Sequence, residues 1–276
     1  MVNPDRELLR TLPKVLRARD FYLYLEGGKR IMDLWLEGGK AILGHKPSGV
    51  LRELKNAGER GLFSSLPHFM EGRFIKAMGL LFPGRVFRLY PDEATMYKAL
   101  ESSGLFNEKQ SALWRPFLET PDEIPAAGKF PPVLIPIVPW PLGPAALVLD
   151  KSAEASFPQN SLIPPVLLAP ATRAIYDLIA VMKAEKPSRG GKKYPKINKA
   201  LSETSGDKPG KPLWRRRLIY LYTNPALEKE KYALLFKKFL EGGFLIPPDQ
   251  GEPVILPPLM SNGEESKLAE LLRIRL

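Results

Sequence analysis

Apolar and polar positions change period several times along the chain, and each change marks an element. FYLYL (21–25) and RIMDLWL (30–36) are rich in aromatic and aliphatic residues and flank Gly27-Gly28, the signature of a hairpin closed by a glycine turn. LEGGK occurs at 25–29 and again at 36–40. Two copies do not make a solenoid, so the second glycine pair, Gly38-Gly39, is read as the end of the second strand. After Pro47 the period becomes helical: Val50, Leu51, Leu54 and Ala57 share a face, with Ser48 as candidate N-cap. A second amphipathic helix is expected over 67–81, a strand over 85–90, and a helix beginning at Pro91 or Asp92.

The middle of the chain is proline-rich. Residues 130–149 carry no charge, but six prolines exclude a membrane helix there. Two short buried strands, 133–138 and 145–149, joined by a Pro/Gly turn fit better, followed by a helix over 171–183. Further on, 217–224 reads as a strand. Residues 225–243 read as a helix with Leu227, Leu234, Leu235 and Phe239 inward and Gly242-Gly243 as its stop. FLIPP and EPVILPP are strands. The last helix opens with Ser261 and Glu264 at capping-box spacing. The order β-α-β-β-α is that of a small two-layer α+β domain.

Composition narrows the chemistry. The 276 residues are long enough for one large domain or two modest ones, and the absence of cysteine excludes disulfides, thiolate metal sites and Cys nucleophiles. The N-terminal twenty residues have charges throughout and no signal-type apolar run, which points to a cytoplasmic protein without a membrane partner. Much of the net charge of +11 comes from 183–217, where twelve Lys/Arg face three acids. That stretch, rich in Gly, Pro and Ser, reads as a mobile connector. Its alternative reading is an anion-binding arm through Lys192, Lys193, Arg215, Arg216 and Arg217. It has no base-reading module, so nucleic acid is not the expected partner. His45 and His68 lack metal-site spacing, and His45 is expected to make a structural hydrogen bond. No P-loop or dinucleotide fingerprint is present.

Taken together, the hairpin with Gly27-Gly28 and Asp33, the Gly44-His45-x-Pro47 stretch and the Gly-hydrophobic, Pro-Pro and final-helix ending resemble a shortened class III aminotransferase. That family belongs to the fold type I pyridoxal-phosphate (PLP) enzymes. The resemblance covers about residues 15–100 and 215–276. It implies an α/β fold with a reduced large-domain sheet, an α+β small domain, and dimer contacts near the aromatic hairpin that carries Trp35. The expected segments are 1–100, a proline-rich α/β region 101–182, a basic connector 183–214 and the small domain 215–276.

The same resemblance implies where the chemistry should sit. The family's phosphate loop at a helix N-terminus corresponds here to Tyr90-Pro91-Asp92-Glu93-Ala94. Glu93 and Ala94 match, while Pro91 offers no N–H and Asp92 puts a carboxylate where a phosphate should lie, so the stretch reads as a helix N-cap and no longer as a cofactor cradle. At the expected place of the Schiff-base lysine stand Gln159, Asn160 and Ser161. The nearest lysine is Lys151, beside Asp150, which resembles the strand-end aspartate that pairs with the pyridinium nitrogen. The expectation is a catalytically degenerate aminotransferase-like protein without PLP, acting in binding or regulation as a homodimer or with a related aminotransferase. The alternatives are a residual PLP enzyme using Lys151 and an anion- or nucleic-acid-binding protein acting through 183–217.

Overall fold

The computed structural model describes residues 7–118, 130–184, 193–205 and 212–274. The N-terminal stretch contains strands β1 (Val15–Arg19), β2 (Tyr22–Leu25) and β3 (Arg30–Asp33). Then come α1 (Ser48–Glu59), α2 (Met70–Leu81), β4 (Val86–Tyr90), α3 (Glu93–Ser102), β5 (Ser111–Trp114), β6 (Val133–Pro136), β7 (Ala145–Leu149) and α4 (Pro165–Ala184). The C-terminal part holds α5 (Pro195–Ser205), β8 (Trp214–Arg217), β9 (Tyr220–Thr223), α6 (Lys229–Glu241), β10 (Phe244–Leu245), β11 (Val254–Ile255) and α7 (Asn262–Leu272).

These elements form two compact units whose boundaries differ from the four expected segments. One is the continuous stretch 46–184; the other joins 7–45 to 193–274. The breaks fall near residues 45 and 184.

In the continuous unit the sheet has the order β4-β7-β6-β5. Strand β7 runs antiparallel to both β4 and β6, and β5 is parallel to β6. Both faces are buried, as the run AALVL demands: every residue of β7 is inside. Val133, Ile135, Leu147 and Leu149 pack with Tyr90, Met96 and Leu100 against α3. Helix α4 packs on α1 and α2. It begins at Pro165, six residues before the expected start, because Pro165 fits the first turn and Pro170 is accommodated inside the helix. Although α4 is long and apolar enough to cross a membrane, 61% of its apolar window is buried within the protein. The N-cap position of α1 is Pro47, and no side chain caps it, so Ser48 is the first helical residue instead. The uncharged stretch 130–149 is not a helix; it holds β6 and β7 with the proline-glycine link between them.

In the other unit the glycine hairpin forms as expected, with Tyr22 opposite Met32 and both Gly27 and Gly28 at φ 82°. Strand β1 adds an outer edge, and β10 pairs parallel to β3, giving the order β1-β2-β3-β10. A second sheet has the order β11-β9-β8. The expected strand 217–224 is β9 over Tyr220–Thr223, and a turn at Leu218, φ 56°, joins it to β8 in a tight hairpin. Part of the expected connector lies outside the described residues. Within it, however, α5 is helical because Tyr194, Ile197, Ala200 and Leu201 recur at helical spacing and are buried. On α6 the inward face is Tyr232, Leu235, Phe236 and Phe239, whereas Leu234, expected inside, is 55% exposed. The capping box of Ser261 and Glu264 on α7 is complete.

Candidate functional site

The end of the sheet at which β4 and β6 finish and β7 begins is where an α/β fold of this kind offers helix N-termini to ligands. Here β4 delivers Tyr90, Pro91 and Asp92 into α3. The Asp92 side chain is the N-cap: its Oδ1 accepts the Thr95 N–H at 2.7 Å. That hydrogen bond from the Thr95 backbone holds the carboxyl below the usual aspartate range. Glu93 and Ala94 are exposed in the first turn. Tyr90 is buried; desolvation raises its phenol pKa, and its hydroxyl has no partner among the described residues.

The neighbouring segment that follows β7 is tied to the same end. Asn160 accepts the Leu89 N–H at 3.1 Å and donates to Glu71 Oε1 of α2 at 2.8 Å. The Ser161 N–H bonds the Leu89 carbonyl at 3.0 Å. Thus the place where the aminotransferase resemblance expects a lysine holds an amide whose donor and acceptor are both engaged. Nor does any residue from 133 to 149, which covers β6, β7 and their link, provide a lysine.

Lys151 lies at the other end of the sheet. Tyr90 faces Ala145 and Val86 faces Leu149 across the antiparallel β4–β7 pair. Four strand residues at about 3.4 Å each separate the two ends by about 14 Å, and Asp92 and Lys151 continue in opposite directions beyond them. Lys151 and the Asp92 loop therefore lie at opposite ends of the sheet. Asp150 forms an ion pair with Arg85 at 3.0 Å, and Lys151 is exposed in a short 3-10 turn. Beside it, Arg88 pairs with Glu154 at 3.0 Å.

The hairpin residues make a separate, structural cluster in the other unit. Buried Asp33 accepts the N–H groups of Trp35 and Leu36 on Oδ1 at 2.8 and 2.9 Å, and its Oδ2 lies 2.9 Å from His45 Nε2. The Trp35 indole N–H donates to Glu252. Gly44 has φ 90°, and a Cβ there would lie 3.0 Å from the Asp20 carbonyl, which itself accepts the His45 N–H. Gly38-Gly39 belongs to a turn that begins after β3 has ended, in which Leu36, Glu37 and Gly38 all have positive φ. Asp33 caps the entrance to that turn.

Of the proposed anion-binding residues, Lys192 lies outside the described residues. Arg216, expected to be available, is half-buried and bonded to the carbonyls of Leu218 and Lys193 and to Asn198. Burial lowers its pKa from the usual arginine value. Lys193 and Arg215 lie over the rings of Tyr194 and Tyr222, at 5.6 and 5.9 Å, and Arg217 is exposed. Arg216 lies over the same Tyr194 ring as Lys193, at 5.2 Å. No group of three metal-ligating side chains occurs among the described residues.

Sequence reasoning placed Asp92 and His45 in their observed roles. It missed the bridging by Asn160 and Glu71 and the Glu252 partner of Trp35, because contacts 89 and 217 residues apart leave no local signal.

No family model matches the chain. It is 27% identical to an uncharacterised protein of Treponema pallidum, over 92% of both chains, and 27% identical to one of Borreliella burgdorferi, over 97% of this chain and 93% of that protein. Among solved structures, ornithine delta-aminotransferase of Plasmodium falciparum superposes with a TM-score of 0.65 at 12% identity, covering 95% of this chain and 92% of the enzyme. Acetylornithine aminotransferase of Elizabethkingia anophelis gives 0.63 at 12%, over 95% and 93%. The ornithine aminotransferase of Toxoplasma gondii, whose active site is partly occupied by PLP, gives 0.62 at 12%, over 95% and 89%. The chain has the α/β fold of the PLP-dependent aminotransferases.

Proposed function

We propose that this chain is a catalytically degenerate aminotransferase-fold protein that works by binding or regulation, not by transamination. The observation that carries the reading is the occupation of the α3 N-terminus by its own Asp92 carboxylate. A PLP phosphate needs that N–H and tolerates no anion beside it: two like charges about 4 Å apart repel by about 4 kcal/mol at an effective dielectric near 20. Pro91 removes a further donor, and neither Asn160 nor the lysine-free 133–149 stretch supplies an amine for a Schiff base. The residues present do not fit PLP.

The test is direct. The protein is incubated with PLP, its absorbance in the internal-aldimine band is recorded, and borohydride reduction is followed by peptide mapping. Weak labelling spread over exposed lysines is expected. Saturable labelling of a single lysine, at Lys151 or elsewhere, would overturn the proposal.

A further inference from the structure

The N-terminal turn and helix α6 leave a channel between them. One part, a cavity of about 940 Å³, is walled by Leu8, Pro13, Leu25, Leu234 and Leu240. A second, of about 1020 Å³, is walled by Glu7, Glu228, Glu230 and Asp249 with Pro225 and Pro248. The two share Leu8, Glu230 and Ala233, so they join along the outer side of the helix. The 13 residues of α6, at about 1.5 Å each, give that side a length of about 20 Å.

The two ends differ in chemistry. Toward the C-terminal end of α6 the wall is leucine-rich, and Leu234 is 55% exposed although the core-facing residues of the helix are already buried. Charges balance there, Lys29 and Lys237 against Glu230 and Glu241, and Lys29 is held by the carbonyls of Leu240 and Glu241 at 3.1 and 3.2 Å. Toward the N-terminal end four carboxylates face one ammonium, that of Lys229. Glu228 is paired with Lys231 at 3.2 Å, and Asp249 accepts the Gly251 N–H through Oδ1 at 2.8 Å. Among the described residues neither Glu7 nor Glu230 has an ion-pair partner. A helix first turn favours acids for its own sake, which accounts for Glu230 but not for Glu7 or Asp249, since these come from other segments. An acidic surplus beside an apolar wall, in a chain of net charge +11, selects a partner of opposite sign.

We propose that this channel docks an extended segment of another protein, with large apolar side chains over the leucines and Lys or Arg beside Glu7, Glu230 and Asp249. At about 3.3 Å per residue, about six residues span the channel, and alternate side chains point the same way, so positions i, i+2 and i+4 enter it. Two of them are apolar and exclude water, and the third is basic and fixes the direction of the segment. This names a partner chemistry for the binding role already proposed and rests on that reading. PLP labelling tests the cofactor site, whereas peptide binding tests the channel alone, so either can fail without the other.

The full chain is applied to immobilised hexapeptides with Leu, Ile or Phe at the first and third places, Arg, Lys or Glu at the fifth and Ser elsewhere, made in both chain directions. Peptides with Arg or Lys are expected to retain the chain about tenfold more strongly than those with Glu, a preference that fades as salt is raised. Glu7→Lys and Glu230→Lys should each weaken that retention several-fold, and together they should turn the preference toward Glu. Leu234→Asp should abolish retention and keep its circular dichroism, because Leu234 is outside the core. Lys55→Glu, on α1 of the other unit, should change nothing. Equal retention by acidic and basic peptides, no retention by either, or indifference to Glu7→Lys and Leu234→Asp would overturn the proposal. So would light scattering that shows copies of the chain held together and separated by Leu234→Asp, since the channel would then be filled by the chain itself.

Discussion

Asp92 shows how one side chain can decide between two uses of a helix N-terminus. Its carboxylate satisfies the Thr95 N–H from within the chain, and replacing an N-cap aspartate by alanine costs about 0.5–2 kcal/mol. Asp92→Ala should therefore lower stability to urea by about that amount at pH 7. The folded-state pKa is depressed, so the contribution is present above the unfolded value of about 3.9 and is lost as pH falls through the lower folded value. Urea titrations at several pH values should show the gap between the two proteins closing only in that acid window. Asn160 offers a second test at the same scale. Asn160→Ala would leave the buried Leu89 N–H without its acceptor, a loss of about 1–3 kcal/mol. Asn160→Asp would keep that bond but set a carboxylate against Glu71, so its penalty should shrink when Glu71→Gln is added.

At the level of elements, what could be read ahead of the structure was what local chemistry decides. The Gly27-Gly28 hairpin, the Asp92 cap and the Ser261 capping box each need only neighbours in sequence, and all three formed. Errors arose where a distant partner or an unusual backbone won. Arg216 looked like a free cation until Asn198 and two carbonyls claimed it. Residues 217–224 looked like one strand because nothing in RLIYLYTN announces that Leu218 will turn with φ 56°. The partner of β3 could not be seen at all, since β10 lies over two hundred residues away and contributes two residues. Gly44, by contrast, is now explained by its conformation. Gly44→Ala would meet both a φ of 90° and the Asp20 carbonyl, strain of about 1–3 kcal/mol. Thermal unfolding should show a drop for Gly44→Ala and none, or a small rise, for Gly72→Ala, a helical site with nothing near its missing Cβ.

For the molecule as a whole, the consequential feature is that one unit is continuous and the other is not. Residues 46–184 keep their sheet and its covering helices together, whereas the second unit draws strands β1–β3 from the start of the chain and the rest from its end. The two parts of that unit share one core, to which the first contributes Leu23, Leu25, Ile31, Met32, Leu34 and Trp35. At about 1.5–3 kcal/mol for each buried side chain, those six amount to about 9–18 kcal/mol. That is as large as the entire net stability of an ordinary domain, about 5–15 kcal/mol. A fragment of 46–184 should consequently unfold cooperatively on its own, with dispersed amide resonances. A fragment of 193–276 should not, because Phe244, Phe239 and Leu245 would face water where β3 had been. Adding a peptide of residues 7–45 in trans should restore structure to the second fragment in a concentration-dependent way, observable by circular dichroism. Independent folding of 193–276 without that peptide would mean that the N-terminal strands cover a finished core and do not complete one.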